Sequence, residues 1–112
     1  MSGNVWLKSG KIYNMLGTGV TTTGAGTQIY KDSPYSTFHA VVAGTGTVYA
    51  TISIEVSNDG TTWCSTPMGT ITLSGTTSSA DGFTSEAPWK YVRANVTAIS
   101  GTGATAQVYM GV

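Results

Sequence analysis

A chain of 112 residues is the length of one domain, enough to build a single hydrophobic core and too little for two. Only 9% of the residues are charged, with five Lys and Arg balancing five Asp and Glu, against about 25% in ordinary soluble domains. The five scattered cations, Lys8, Lys11, Lys31, Lys90 and Arg93, do not form the basic stripe that nucleic-acid binding uses, and the apolar runs, such as 40–43, fall far short of the roughly 20 residues of a membrane-spanning helix.

In chain order, residues 1–17 come first. They mix Val5, Trp6, Leu7, Ile12, Tyr13, Met15 and Leu16 with Gly, Ser and Lys in no strand or helix period, and read as an N-terminal arm. The segment lacks the apolar stretch and small-residue cleavage site of a signal peptide, so synthesis in the cytoplasm is expected. From residue 18 to 112 the pattern alternates with a period of two and reads as one β domain. Short strands are expected at 18–23, 27–31 and 36–43. From 47 to 57 the alternation is clean, with Val48, Ala50, Ile52, Ile54 and Val56 on one face and Tyr49, Thr51, Ser53, Glu55 and Ser57 on the other, the mark of a half-buried antiparallel strand.

Strands at 69–74 and 80–84 follow. Residues 89–99 repeat the scheme, with Val92, Ala94, Val96 and Ala98 inward, and 104–112 place Ala104, Ala106, Val108, Met110 and Val112 on one face. The triplets GTG at 17–19, 44–46 and 101–103, GAG at 24–26 and NDG at 58–60 supply the turn chemistry of tight hairpins. The resulting expectation is an all-β fold, an antiparallel β-sandwich that is jelly-roll-like, with an extended N-terminal arm. Its surface is to be covered by neutral hydroxyls, since 20 Thr and 12 Ser occupy positions that Lys and Glu fill elsewhere.

Residues able to do chemistry are few. His39 is the single imidazole and lies in mid-strand, so a Ser-His-Asp triad would have to recruit Asp32, Asp59 or Asp81, without a G-x-S-x-G elbow. The structural alternative for His39 is an exposed or edge-strand side chain. Cys64 is the single cysteine, which excludes an intrachain disulfide, and it reads as an apolar filler beside Trp63. Asp81 and Glu86 lie five apart across a Gly-containing loop, and Glu55 and Asp59 flank a turn, so the count of acids alone does not rule out a glycosidase pair, but solvated loop acids are the plainer reading. One His and one Cys do not make a zinc set, and no DxDxDG run offers calcium a cage. No catalytic residue, cofactor, metal or small-molecule substrate is expected.

The stretch EVSNDGTTW, residues 55–63, makes a reversal at Asn58-Asp59-Gly60 and is expected to return Trp63 on the partner strand, where its indole covers a strand end. It resembles a phrase in discoidin-type and other carbohydrate-binding jelly rolls, which implies a rival reading as a sugar-binding module of a phage fibre or a bacterial surface protein, using Trp63, Phe83 and Trp89. A longer resemblance runs over roughly residues 35–112, through YSTFHAVVAGTGTV, TISIEVSNDGTTW, GTITLSGTTSSADGF and PWKYVRANVTAISGTGATAQVYMGV. These segments are similar to the cement or stapling proteins that decorate the heads of epsilon 15-like short-tailed bacteriophages. The resemblance implies a non-enzymatic virion protein on the outer capsid surface, made in the host cytoplasm. It would bind the major capsid protein and staple adjacent capsomers against internal DNA pressure, as a homodimer or, in other decoration proteins, a trimer. The arm would then contact the capsid or a neighbouring subunit through Val5, Trp6, Leu7, Ile12, Tyr13 and Leu16, or else fold back and complete its own core.

Overall fold

A computed structural model describes residues 12–31 and 33–112. Among these residues six strands form one antiparallel sheet: β1 (Ile12–Asn14), β2 (Gly24–Ala25), β3 (Ile29–Tyr30), β4 (Ser36–Ser57), β5 (Gly69–Ser85) and β6 (Tyr91–Gly111). The sheet order is β1-β6-β4-β5, with β2 and β3 also paired to β6. The all-β antiparallel expectation is met, and the alternating rows lie where the sequence puts them. Val48, Ala50, Ile52, Ile54, Val56, Val92, Ala94, Val96, Ala104, Ala106, Val108 and Met110 are all buried. Ala98 is only half-buried, because the β4–β6 register shifts between Thr51 and Ile52 and displaces it from the inward row.

The GTG triplets at 44–46 and 101–103 do not end strands, as hairpin turns would. They are creases inside β4 and β6, and Gly75-Thr76-Thr77 is the matching crease in β5. The β4–β5 register breaks between Ala43 and Thr47, and the β4–β6 register breaks between Ala43 and Tyr49, so the three creases lie side by side. Gly46, Gly101 and Gly103 adopt positive φ there, which turns the chain without interrupting pairing on either flank. A strand of 22 residues would stretch about 70 Å if straight, yet the longest dimension of the described residues is 39 Å.

The sheet therefore folds over on itself. Two layers result, in a body 20 Å thick, as two sheets about 10 Å apart require. In one layer, residues 78–85, 36–43, 104–111 and 12–14 lie in that order. In the other the order is 69–76, 47–57, 91–100 and then 24–30. Successive segments change layer at every crease. One hydrophobic cluster fills the space between the layers, drawing Phe38, Val42, Val108 and Met110 from the first and Ile52, Ile54, Leu73 and Val92 from the second.

The chain from 12 to 30 runs antiparallel along the outer edge of β6. β1 pairs with 109–111, Val20 bridges Ala106, and β2 and β3 pair with 95–96 and 91–92. The short strand expected at 18–23 reduces to the Val20 bridge. The arm expected at 1–17 and the domain expected at 18–112 are not divided there among the described residues. Ile12–Asn14 are a strand of the sheet, and Met15 and Leu16 enter the core, where Leu16 lies against Gly26.

Candidate functional site

The most closely bonded surface feature is the end of the second layer, where β4 leaves the sheet. Ser57 is buried at the last position of β4. Its hydroxyl accepts from the backbone N–H groups of Asp59 and Gly60 and lies 2.8 Å from Asp59 Oδ1 and 2.7 Å from the Thr62 carbonyl, either of which can take its single proton. Asp59 Oδ1 accepts the N–H groups of Thr61 and Thr62 at 2.8 and 2.7 Å. These backbone donors, Thr61 first, then Thr62, with the Ser57 hydroxyl, hold the Asp59 carboxyl down at about 2, since they bond to its charged form. Gly60 has φ of 74° with the Tyr91 ring over it, and Lys90 donates its N–H to Asn58 Oδ1.

Beside this turn, Arg93 Nε donates to Glu55 Oε1 at 2.7 Å, and Asn95 Nδ2 to Glu55 Oε2 at 3.0 Å. The three are cross-strand neighbours on the outer face, because Glu55 pairs with Arg93 and Ser53 with Asn95. The Arg93 guanidinium also lies 4.2 Å from the centroid of Trp63, a cation–π arrangement. Trp63 does not return on a partner strand. It sits in the loop between β4 and β5, which Cys64 N–H and Met68 N–H tie back to Val56 and Ile54 carbonyls.

The aromatics of the sugar-binding reading do not form one exposed platform. Trp63 is half-buried under Arg93, Phe83 stacks on Phe38 at 5.2 Å between centroids, and Trp89 packs against the core. His39 is exposed on the outer face of the first layer beside Tyr109, at 5.6 Å between ring centroids. Cys64 is exposed as well, and so is not the apolar filler expected of it; the loop carries it outward. Glu55 and Asp59 are committed to Arg93 and to the turn, and Asp81 Oδ1 accepts the Gly82 N–H. Among the described residues no three His, Cys, Asp or Glu side chains come together.

Lys31 is the charged residue the sequence did not single out. It is buried, with Nζ donating to the Ala87 carbonyl at 2.9 Å and the Pro34 carbonyl at 3.4 Å. Burial, and secondarily the charge of Lys90, lower its pKa. It pins the link preceding β4 to the link preceding β6, a structural task.

Of the arm residues, Val5, Trp6 and Leu7 lie outside the described residues. Ile12 is 74% exposed and Tyr13 is exposed, whereas Leu16 is 5% exposed and serves the protein's own core. Leu16 N–H donates to Gln107 Oε1, and Gln107 Nε2 donates to the Gly17 carbonyl, so a single glutamine on β6 clasps both sides of this bend. The side chains pointing outward from the β4–β5–β6 face of the first layer, Thr37, His39, Val41, Ala43, Thr84, Ala80, Ser78, Thr105, Gln107 and Tyr109, carry no Asp, Glu, Lys or Arg. The second layer shows Thr51, Ser53, Thr70, Thr72 and Ser74, with charge, among the described residues, at the Glu55–Arg93 end.

No protein-family model matches this chain, and no curated protein matches its sequence. Among solved structures it is similar to the crystal structure of the SPBc2 prophage-derived protein YomS, with a TM-score of 0.58 and 12% sequence identity, over 96% of this chain and 98% of that one. At that identity the likeness shows a shared fold, and it extends over both chains nearly end to end.

Proposed function

We propose that this protein is a non-enzymatic structural component of a tailed-phage particle, one that binds the outer surface of the major capsid lattice and staples adjacent capsomers. The observation that carries the reading is the placement of Ile12 and Tyr13. An isoleucine with 74% of its surface exposed stands on a strand whose backbone is fixed by pairing to β6. Its burial by a partner gains apolar contact without the cost of ordering a free chain, and Val5, Trp6 and Leu7 precede it in sequence.

Two further features support it. Broad faces nearly free of charge suit contacts repeated over a lattice, where modest individual affinity is multiplied by valency. The fold is also similar over almost its whole length to a protein of prophage origin. The test is cosedimentation of the purified protein with phage heads lacking it, together with the heat resistance of those heads. Saturable binding that toughens the shells is the expected result. Heads that bind none of it would reject the reading.

A further inference from the structure

The two edges of this folded sheet are treated in opposite ways. The edge of β6 is covered along its length by residues 12–30, in pieces of two or three residues separated by bends, which is how natural proteins blunt an edge. The other edge is β5, which runs for 17 residues and, among the described residues, pairs with β4 alone. No Lys or Pro occurs in it, and its one charged side chain is Asp81. The devices that usually protect a long edge are missing from residues 69–76, where exposed Thr70, Thr72, Ser74 and Thr76 alternate with buried Ile71 and Leu73. The flat stretch ends at Thr77, whose φ is 65°.

We propose that this edge pairs with the same edge of a second copy of the chain, β5 against β5, antiparallel about a two-fold axis near Thr72. An isologous contact sets a segment against itself, so every charge in it would meet a like charge. Residues 69–76 can do this because they carry none, and the whole chain has a net charge of zero. Centred on Thr72, the pairing brings Thr72 opposite its own copy and Thr70 opposite Ser74, the hydroxyl pairs that antiparallel neighbours favour. It also satisfies the outward N–H and C=O groups of residues 69–76 and continues the second layer into that of its partner. This pairing does not depend on what Ile12 and Tyr13 bind, since β1 lies at the opposite edge.

The experiment is sedimentation velocity of the full chain over a concentration series, beside Thr72→Lys, Thr72→Glu and an equal mixture of the two. The native chain is expected to shift from 11.5 kDa toward twice that mass as concentration rises. Each variant alone should dissociate at least tenfold more readily, and the mixture should recover the dimer, because Lys then faces Glu. Thr72 is exposed, so both variants should melt as the native chain does; Thr70→Lys serves as a second position if one does not. A native chain that stays at 11.5 kDa throughout overturns the proposal and leaves the edge to a strand of another protein. A dimer indifferent to charge at Thr72 and at Thr70 overturns it equally.

Discussion

Met68, just before β5, and Ser85, its last residue, touch: Ser85 Oγ donates to Met68 Sδ at 3.1 Å although they stand 17 positions apart in the chain. Just inside them, Gly69 lies so near the Phe83 ring that an added Cβ would come within 2.5 Å of it. A straight strand would hold these pairs far apart. The crease at Gly75-Thr76-Thr77 brings them together, and with its counterparts in β4 and β6 it converts one sheet into two packed layers.

The glycines of the crease are not equivalent. A Cβ at Gly101, where φ is 119°, would meet the Thr47 carbonyl at 2.7 Å and Val48 Cα at 3.1 Å, while one at Gly103, with φ of 65°, meets nothing within 4 Å. Gly101→Ala should therefore cost about 3 kcal/mol, through strain and backbone collision together, and Gly103→Ala about 1 kcal/mol, the left-handed penalty alone. Thr77 is an exposed β-branched residue in the same left-handed region, so Thr77→Gly should gain up to about 1 kcal/mol. Urea unfolding of the three variants checks the order; equal losses at 101 and 103 would contradict it.

Asp59 makes stability depend on acid. Its folded pKa is about 2 against an ordinary 3.8, so the unfolded chain takes up the proton first. The stabilisation is complete above the ordinary value and is lost as pH falls through about 2. In Asp59→Asn that part of the acid sensitivity should vanish. Urea midpoints of native protein and variant are expected to converge as pH drops across this window, and parallel profiles would show that the turn does not hold the carboxylate as described.

Arg93 covers Trp63, so Arg93→Ala should expose the indole. The emission of the variant is expected to shift to longer wavelength and to become more accessible to acrylamide, with Trp63→Phe in both backgrounds isolating this indole among the three Trp of the chain. Loss of the cation–π contact should cost about 0.5–1 kcal/mol. An unchanged spectrum would mean that the loop, not the guanidinium, shields the ring.

Leu16 and Ile12 stand four residues apart with opposite roles. Leu16→Ala should destabilise by about 2–4 kcal/mol, as truncation of a core leucine does. Ile12→Ser should leave stability within about 0.5 kcal/mol, the range of exposed sites, while weakening attachment to phage heads. Thermal melts paired with cosedimentation separate the two effects. Full head binding by Ile12→Ser would count against β1 as the attachment edge.

Much of this fold is written locally. The period-two rows at 48–56, 92–96 and 104–110 set which side chains face inward, because adjacent side chains of a strand must point to opposite faces. The turn at Asn58-Asp59-Gly60 follows from residues that bond their own backbone. What local pattern does not contain is whether a glycine triplet ends a strand or bends it. GTG at 44–46 and at 101–103 has the chemistry of a hairpin, and only pairing with neighbours bent at the same level makes it a crease.

The same holds for surfaces. Composition determined that this protein would face its surroundings with hydroxyls instead of charges. It could not say which of the apolar residues near the N-terminus would remain outside. That choice belongs to the tertiary structure: the clasp of Gln107 on Leu16 and Gly17 directs Leu16 inward, and the pairing of β1 with β6 leaves Ile12 facing out. Nor could it show that β5 would be the edge strand among the described residues, because an edge is a property of strand order, and strand order is set by contacts between residues far apart in the chain.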